Sequence, residues 1–284
     1  MEILEQRIEV DGLDWFYREV KPLRETADRL PVIFLHGLVT QSYSWRGIMP
    51  LVAEQGFWAI APDWIGHGFS SQPEKRAFAY TPEAFVKALE GFLAALSIER
   101  MHLVVQGFLG TYGLLYALQH PEQIERLVIV NAPLSPEAKL PWSVRRMTLP
   151  LAGEMMTQDP LLVDRTLEGG GPYQVSDQDL EVYRKPFLTT SAAGRALLAT
   201  LRNLNLAATT EVVAKGLTEW QQTTLLVWGT ADPWLPIKLA ETWAATLPNG
   251  ELAKLDEVGH YAQEDWAEKV AKVVVPFLRC LDVS

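Results

Sequence analysis

Four short segments of the chain hold residue types that could do chemistry: His36-Gly37-Leu38, Gln106-Gly107-Phe108, Ala231-Asp232-Pro233 and Gly259-His260-Tyr261. An acid and a histidine are the parts of a general base, because a carboxylate can orient an imidazole and stabilise its protonated form. Asp232 and His260 are of those types. Metal chemistry has no comparable support. The histidines are too dispersed to read as a ligand set, and the single cysteine, Cys280, supplies neither a disulfide nor a cysteine-rich metal site. No organic cofactor is implied either. Gly107, Gly110 and Gly113 follow a strand and precede a helix, but their spacing is not GxGxxG, so they do not read as a dinucleotide fingerprint. Gly169-Gly170-Gly171 reads as a flexible turn rather than a phosphate cradle.

The elements that must position these residues alternate between strand-like and helix-like stretches. Short apolar runs at 32–35, 57–61, 102–105, 127–130, 224–228 and 251–255 predict buried strands. Helices are predicted over 44–54, 82–96, 107–120, 236–247 and 264–281, and Thr81-Pro82 supplies an N-cap with proline at the first helical position. The alternation stops after Asn131-Ala132-Pro133, and the next 80 or so residues read as several helices. This divides the chain into a core of residues 1–133 and 213–284 and an inserted cap of residues 134–212. The four segments above then stand at the carboxyl ends of parallel strands, the edge at which open α/β sheets place ligands.

Composition narrows the function. The chain has 284 residues, 25 Lys and Arg against 35 Asp and Glu, a net charge of −10, and 48% apolar residues. A nucleic-acid binder would usually carry the opposite sign, and a disordered chain far fewer apolar side chains. No apolar run of about 18 residues predicts a membrane span, and the first residues lack the apolar stretch of a secretory signal. Together with the lone cysteine, this points to a cytoplasmic protein.

The segments 36–46 (HGLVTQSYSWR), 61–70 (APDWIGHGFS), 226–232 (LVWGTAD) and 258–260 (VGH) carry a resemblance. With the order of turn, acid and late histidine, they resemble the α/β-hydrolase family, most closely its haloalkane dehalogenase and epoxide hydrolase branch. The resemblance implies an α/β fold: a mostly parallel eight-stranded sheet flanked by helices, with a helical cap. It assigns Asp232 and His260 as a retained catalytic dyad and the backbone N–H groups of Leu38 and Phe108 as an oxyanion hole. Trp45, Trp142 and Tyr173 become candidate ligand contacts. His36 and His67 read as structural or loop histidines, Arg145-Arg146 as a solvated helix face, and Tyr183 as a cap-packing aromatic.

One motif departs from the family. The elbow reads Val104-Val105-Gln106-Gly107-Phe108-Leu109-Gly110, which puts Gly107 at the nucleophile position. Glycine tolerates the strained elbow backbone but has nothing to attack with. Leu109 is a second departure, where the motif has glycine. The family's halide donors fall at Phe108 and Leu38, whose side chains cannot donate a hydrogen bond. Covalent dehalogenase, epoxide hydrolase or serine esterase chemistry is therefore not expected.

Asp232 and His260 read equally as a general base and as an inherited buried pair. Three functions follow. The first is a pseudo-hydrolase that binds a small apolar molecule or a protein partner. The second is a hydrolase or lyase using the dyad as general base without a covalent intermediate. The third is a structural or assembly factor.

Overall fold

The computed structural model describes residues 1–23 and 29–279. Eight strands form one sheet: β1 (Leu4–Val10), β2 (Leu13–Val20), β3 (Val32–Leu35), β4 (Ala59–Pro62), β5 (Met101–Gln106), β6 (Ile124–Val130), β7 (Thr223–Gly229) and β8 (Gly250–Leu255). Their order is β1-β2-β4-β3-β5-β6-β7-β8. The β1–β2 and β2–β4 pairs are antiparallel and the remainder parallel. The fold is thus the expected α/β class with a mostly parallel sheet.

The central strands are continuous apolar runs because both of their faces are covered. Ile33, Leu35, Leu103, Val105, Leu127, Ile129, Leu226 and Trp228 point into one core, which also takes up the cap. Val32, Phe34, Val104, Val128, Val130, Leu225 and Val227 point into the other. The hairpin at the edge joins β1 and β2 through Asp11-Gly12, both at positive φ. An Asp-Gly pair between alternating residues is a strong hairpin signal that the search for buried runs passes over.

The helices are α1 (Met49–Ala53), α2 (Pro82–Ala95), α3 (Gly110–Gln119), α4 (Trp142–Arg145), α5 (Ala152–Met156), α6 (Leu162–Glu168), α7 (Asp177–Thr189), α8 (Ser191–Asn203), α9 (Leu206–Leu217), α10 (Ile237–Ala244), α11 (Ala262–Asp265) and α12 (Ala267–Arg279). The helix predicted over 44–54 is instead a 3₁₀ turn at Ser42–Trp45 followed by α1, which opens with Pro50 in its first turn. The predicted closing helix is interrupted at Trp266, whose φ of −148° is not helical, and its last residues, with Cys280, lie outside the described residues. The expected boundary at 212/213 falls inside α9, a helix that packs along α3 of the core. Among the described residues, no helix is long and apolar enough to cross a membrane.

Candidate active site

The turn after β7 carries Asp232 and the turn after β8 carries His260. Asp232 Oδ1 accepts the N–H groups of Trp234 (2.8 Å) and Leu235 (3.0 Å). Its Oδ2 lies 2.7 Å from Asn131 Nδ2, which donates to it, and 2.9 Å from His260 Nδ1. A carboxylate only accepts, so Nδ1 carries a proton, and in the neutral ring Nε2 is the nitrogen that presents a lone pair. His260 is 1% exposed. The rings of Phe108, Trp234 and Tyr261 stand 5.4, 4.7 and 5.0 Å from the imidazole, centre to centre. Its main chain is tied on both sides: the N–H donates to Gly170 O at 2.6 Å, and the carbonyl accepts from Gln106 Nε2 at 3.0 Å.

Gly107 follows β5 with φ of +64°, in the left-handed region that L side chains rarely adopt. A Cβ built on it would lie 3.2 Å from His260 Nε2 and 3.3 Å from Gly37 Cα, closer than ordinary contact. Among the described residues, the adjoining amides of Leu38 and Phe108 make no hydrogen bond, and buried Gln106 Oε1 lacks a partner. The close approach of α3 to the sheet falls at Gly113, where a Cβ would meet Val105 Cγ1 at 2.6 Å and Leu35 Cδ1 at 2.7 Å. Leu109 is fully buried.

The structure does not gather every candidate around the dyad. Trp45 packs against Phe34, 5.1 Å between rings, in the core on the opposite sheet face from Phe108 and Tyr261. Its place there follows from strand alternation: Phe34 points away from the face that Ile33 and Leu35 share with the cap. Trp142 is 63% exposed on the cap, with Arg145 over its ring. Tyr173 is half-buried, packed against the cap-side core. His67, expected as a surface or loop histidine, lies in the turn after β4 but is buried, with its Nε2 3.2 Å from Thr200 Oγ1, and burial together with His36 pushes its imidazole down to about 3. His36 Nε2 accepts the Trp64 N–H, a structural contact.

Several residues beside the dyad escaped the motif reading. Asn131 bridges β6 and β7 by donating to Asp232 and accepting the Gly229 N–H at 3.1 Å. Its signal is a polar side chain at the carboxyl end of an apolar strand. Glu264 accepts a two-pronged bond from Arg46 (2.7 and 2.8 Å) and the hydroxyl of the cap's Tyr183. Arg46 also pairs with Asp179 of α7 at 3.0 Å. Asp265 Oδ2 accepts the Gly259 N–H at 3.0 Å, and burial, with Glu264 and Asp232 adding to it, pushes its carboxyl up to about 7. A cavity of about 550 Å³ between the 72–76 loop and α8 has neither Asp232 nor His260 in its lining.

The profile of the alpha/beta hydrolase fold family matches residues 31–266. The chain is 28% identical to a haloalkane dehalogenase of Bradyrhizobium diazoefficiens, covering 98% of this chain and 95% of that protein. It is 27% identical to a 2-hydroxymuconate semialdehyde hydrolase of a Pseudomonas species, covering 92% and 91%. Its fold superposes on the crystal structure of a haloalkane dehalogenase from Bradyrhizobium elkani with a TM-score of 0.82, at 28% identity and 98% coverage of both chains. These matches correct the expectation that set aside covalent dehalogenase, epoxide hydrolase and serine esterase chemistry. Near full-length similarity to dehalogenases and to a semialdehyde hydrolase makes chemistry of that kind plausible for this chain rather than excluded.

Proposed function

The chain belongs to the α/β-hydrolase fold family, and from that premise we propose that it is a hydrolase whose general base is His260 oriented by Asp232. The observation that carries this reading is the direction of His260: Nδ1 is engaged by a carboxylate that already accepts three other donors, and Nε2 faces Gly107. On this reading Gly107 occupies the nucleophile position of the family, and a water takes over the attack. Nε2 removes a proton from that water as its oxygen bonds to the electrophilic carbon of the substrate. The charge that develops on the substrate oxygen meets the unengaged amides of Leu38 and Phe108. The imidazolium, steadied by Asp232, then returns the proton to the leaving group.

Apolar rings around the imidazole suit a small, largely apolar substrate. A cytosolic setting belongs to the same proposal, on the ground that the one cysteine cannot pair within the chain. Turnover of a panel of esters, epoxides and haloalkanes tests the reading. At least one should be consumed by the parent chain and not by His260→Ala, whereas no turnover anywhere in the panel sinks it. A second reading, binding of an apolar molecule or partner without turnover, is favoured by Gly107, which stands at the nucleophile position with no side chain to attack with. Silence across the panel together with saturable binding of a panel member would select it.

A further inference from the structure

The triple-glycine turn of the cap, read from sequence as flexible, touches the histidine loop through its backbone. Gly170 O accepts the His260 N–H at 2.6 Å. A Cβ on Gly170 would meet the Tyr261 ring at 2.6 Å, and one on Gly171 would meet Gly259 Cα at 2.7 Å. From the other side, a Cβ on Gly259 would meet Gly170 O at 2.6 Å. None of these three glycines has positive φ. Their requirement is space, between two backbones at Gly171 and Gly259 and against the Tyr261 ring at Gly170, which is evidence that the approach itself is built in.

We propose that the cap turn Gly169–Gly171 positions His260, so that seating the cap and setting the base are one event. The inference rests on the general-base reading of His260. The turn follows directly on α6, whose last carbonyls accept the Gly169 and Gly170 N–H groups (Arg165 O at 3.2 Å, Leu167 O at 3.0 Å). Lifting the cap therefore strips the acceptor from a buried His260 N–H, and a buried donor does not stay unpaired without cost. The loop must move with the cap. Gly170 is a positioning residue here, acting through the main chain of His260.

Native-state hydrogen exchange tests this without any substrate. The His260 N–H should exchange with the same opening as the amides of α7 and α8. Exchange that instead follows the amides of β5 and β6 overturns the proposal. A variant pair adds a second check. Gly170→Ala should displace the downfield Nδ1–H proton resonance of His260 and lower kcat roughly tenfold to a hundredfold with little change in KM. Met147→Ala, a truncation elsewhere in the cap interior, should leave that resonance in place. A folded Gly170→Ala with an unmoved resonance, or the same displacement in Met147→Ala, contradicts positioning by the turn. If Gly170→Ala does not fold, exchange in the unmodified chain decides. Coupled exchange without turnover of any panel substrate would retain the strap and reject only the catalytic reading.

Discussion

The two halves of the site are built to different standards. On the histidine side both carboxylate oxygens of Asp232 are engaged, the imidazole is ringed by Phe108, Trp234 and Tyr261, and four elements of chain converge: the ends of β5, β6 and β7 and the cap turn. On the elbow side, where the loops of Gly37 and Phe108 meet, the same sheet edge holds a residue without a side chain and, among the described residues, two amides without hydrogen bonds and an unpartnered Gln106 Oε1. The difference teaches that a turn and the groups it positions can persist separately. Backbone geometry at Gly107, with φ of +64°, keeps the elbow and its Phe108 amide in place, while the imidazole opposite is held by interactions that do not involve residue 107 at all.

Breaking the histidine side should have the largest effect. Asp232→Asn puts a donor where Asn131 and His260 already donate, so it disturbs both the tautomer and the orientation of the imidazole. The rate on any panel substrate should fall by about 10²–10⁴-fold. A loss below about fivefold would mean the carboxylate only packs, a threshold set well under the general-base range.

Next comes the acid beneath the histidine loop. Asp265 rises from an ordinary 3.8 to about 7 in the folded chain, chiefly by burial. A raised acid binds a proton more tightly in the folded state, so its contribution is fully present below about pH 4 and is lost as pH climbs toward 7. The loss is on the order of 4 kcal/mol across that window. Asp265→Asn keeps an acceptor for the Gly259 N–H and should flatten this slope in urea unfolding measured from pH 4 to 8. An identical slope in the variant would assign the pH dependence elsewhere.

The elbow responds more weakly and with the opposite lesson. Gly107→Ala combines a positive φ with contacts at 3.2 and 3.3 Å, and should cost about 2 kcal/mol of stability. Unchanged stability in thermal unfolding would show that this turn relaxes freely. Smallest is Tyr183→Phe, which removes one hydroxyl from buried Glu264 while Arg46 still holds both carboxylate oxygens. A loss of about 1.5 kcal/mol is expected. A loss above about 3 kcal/mol would mean that the cap-to-core cluster depends on this hydroxyl rather than on Arg46.

These contrasts also mark what could be read from the residues alone. The order of Gly107, Asp232 and His260, and the apolar runs before them, are local patterns, so the sheet edge and the dyad were legible. Trp45 was misplaced because its neighbour motif says nothing about which sheet face it joins; the alternation of β3 decides that. Asn131 and Gly170 stayed hidden because their partners, Asp232 and His260, lie about a hundred residues away in each case or nearly so, and a carbonyl leaves no trace in side-chain identity. The same holds for Asp265: its burial is set by packing against Gly171 and Gly259.

The central claim is that water, activated by His260, attacks the substrate directly at the elbow. A single turnover in oxygen-18 water, with enzyme in excess over a panel substrate, tests it most directly. Direct attack predicts labelled product from that first turnover and no label in any peptide of the protein. Unlabelled product with oxygen-18 carried by a peptide would contradict it.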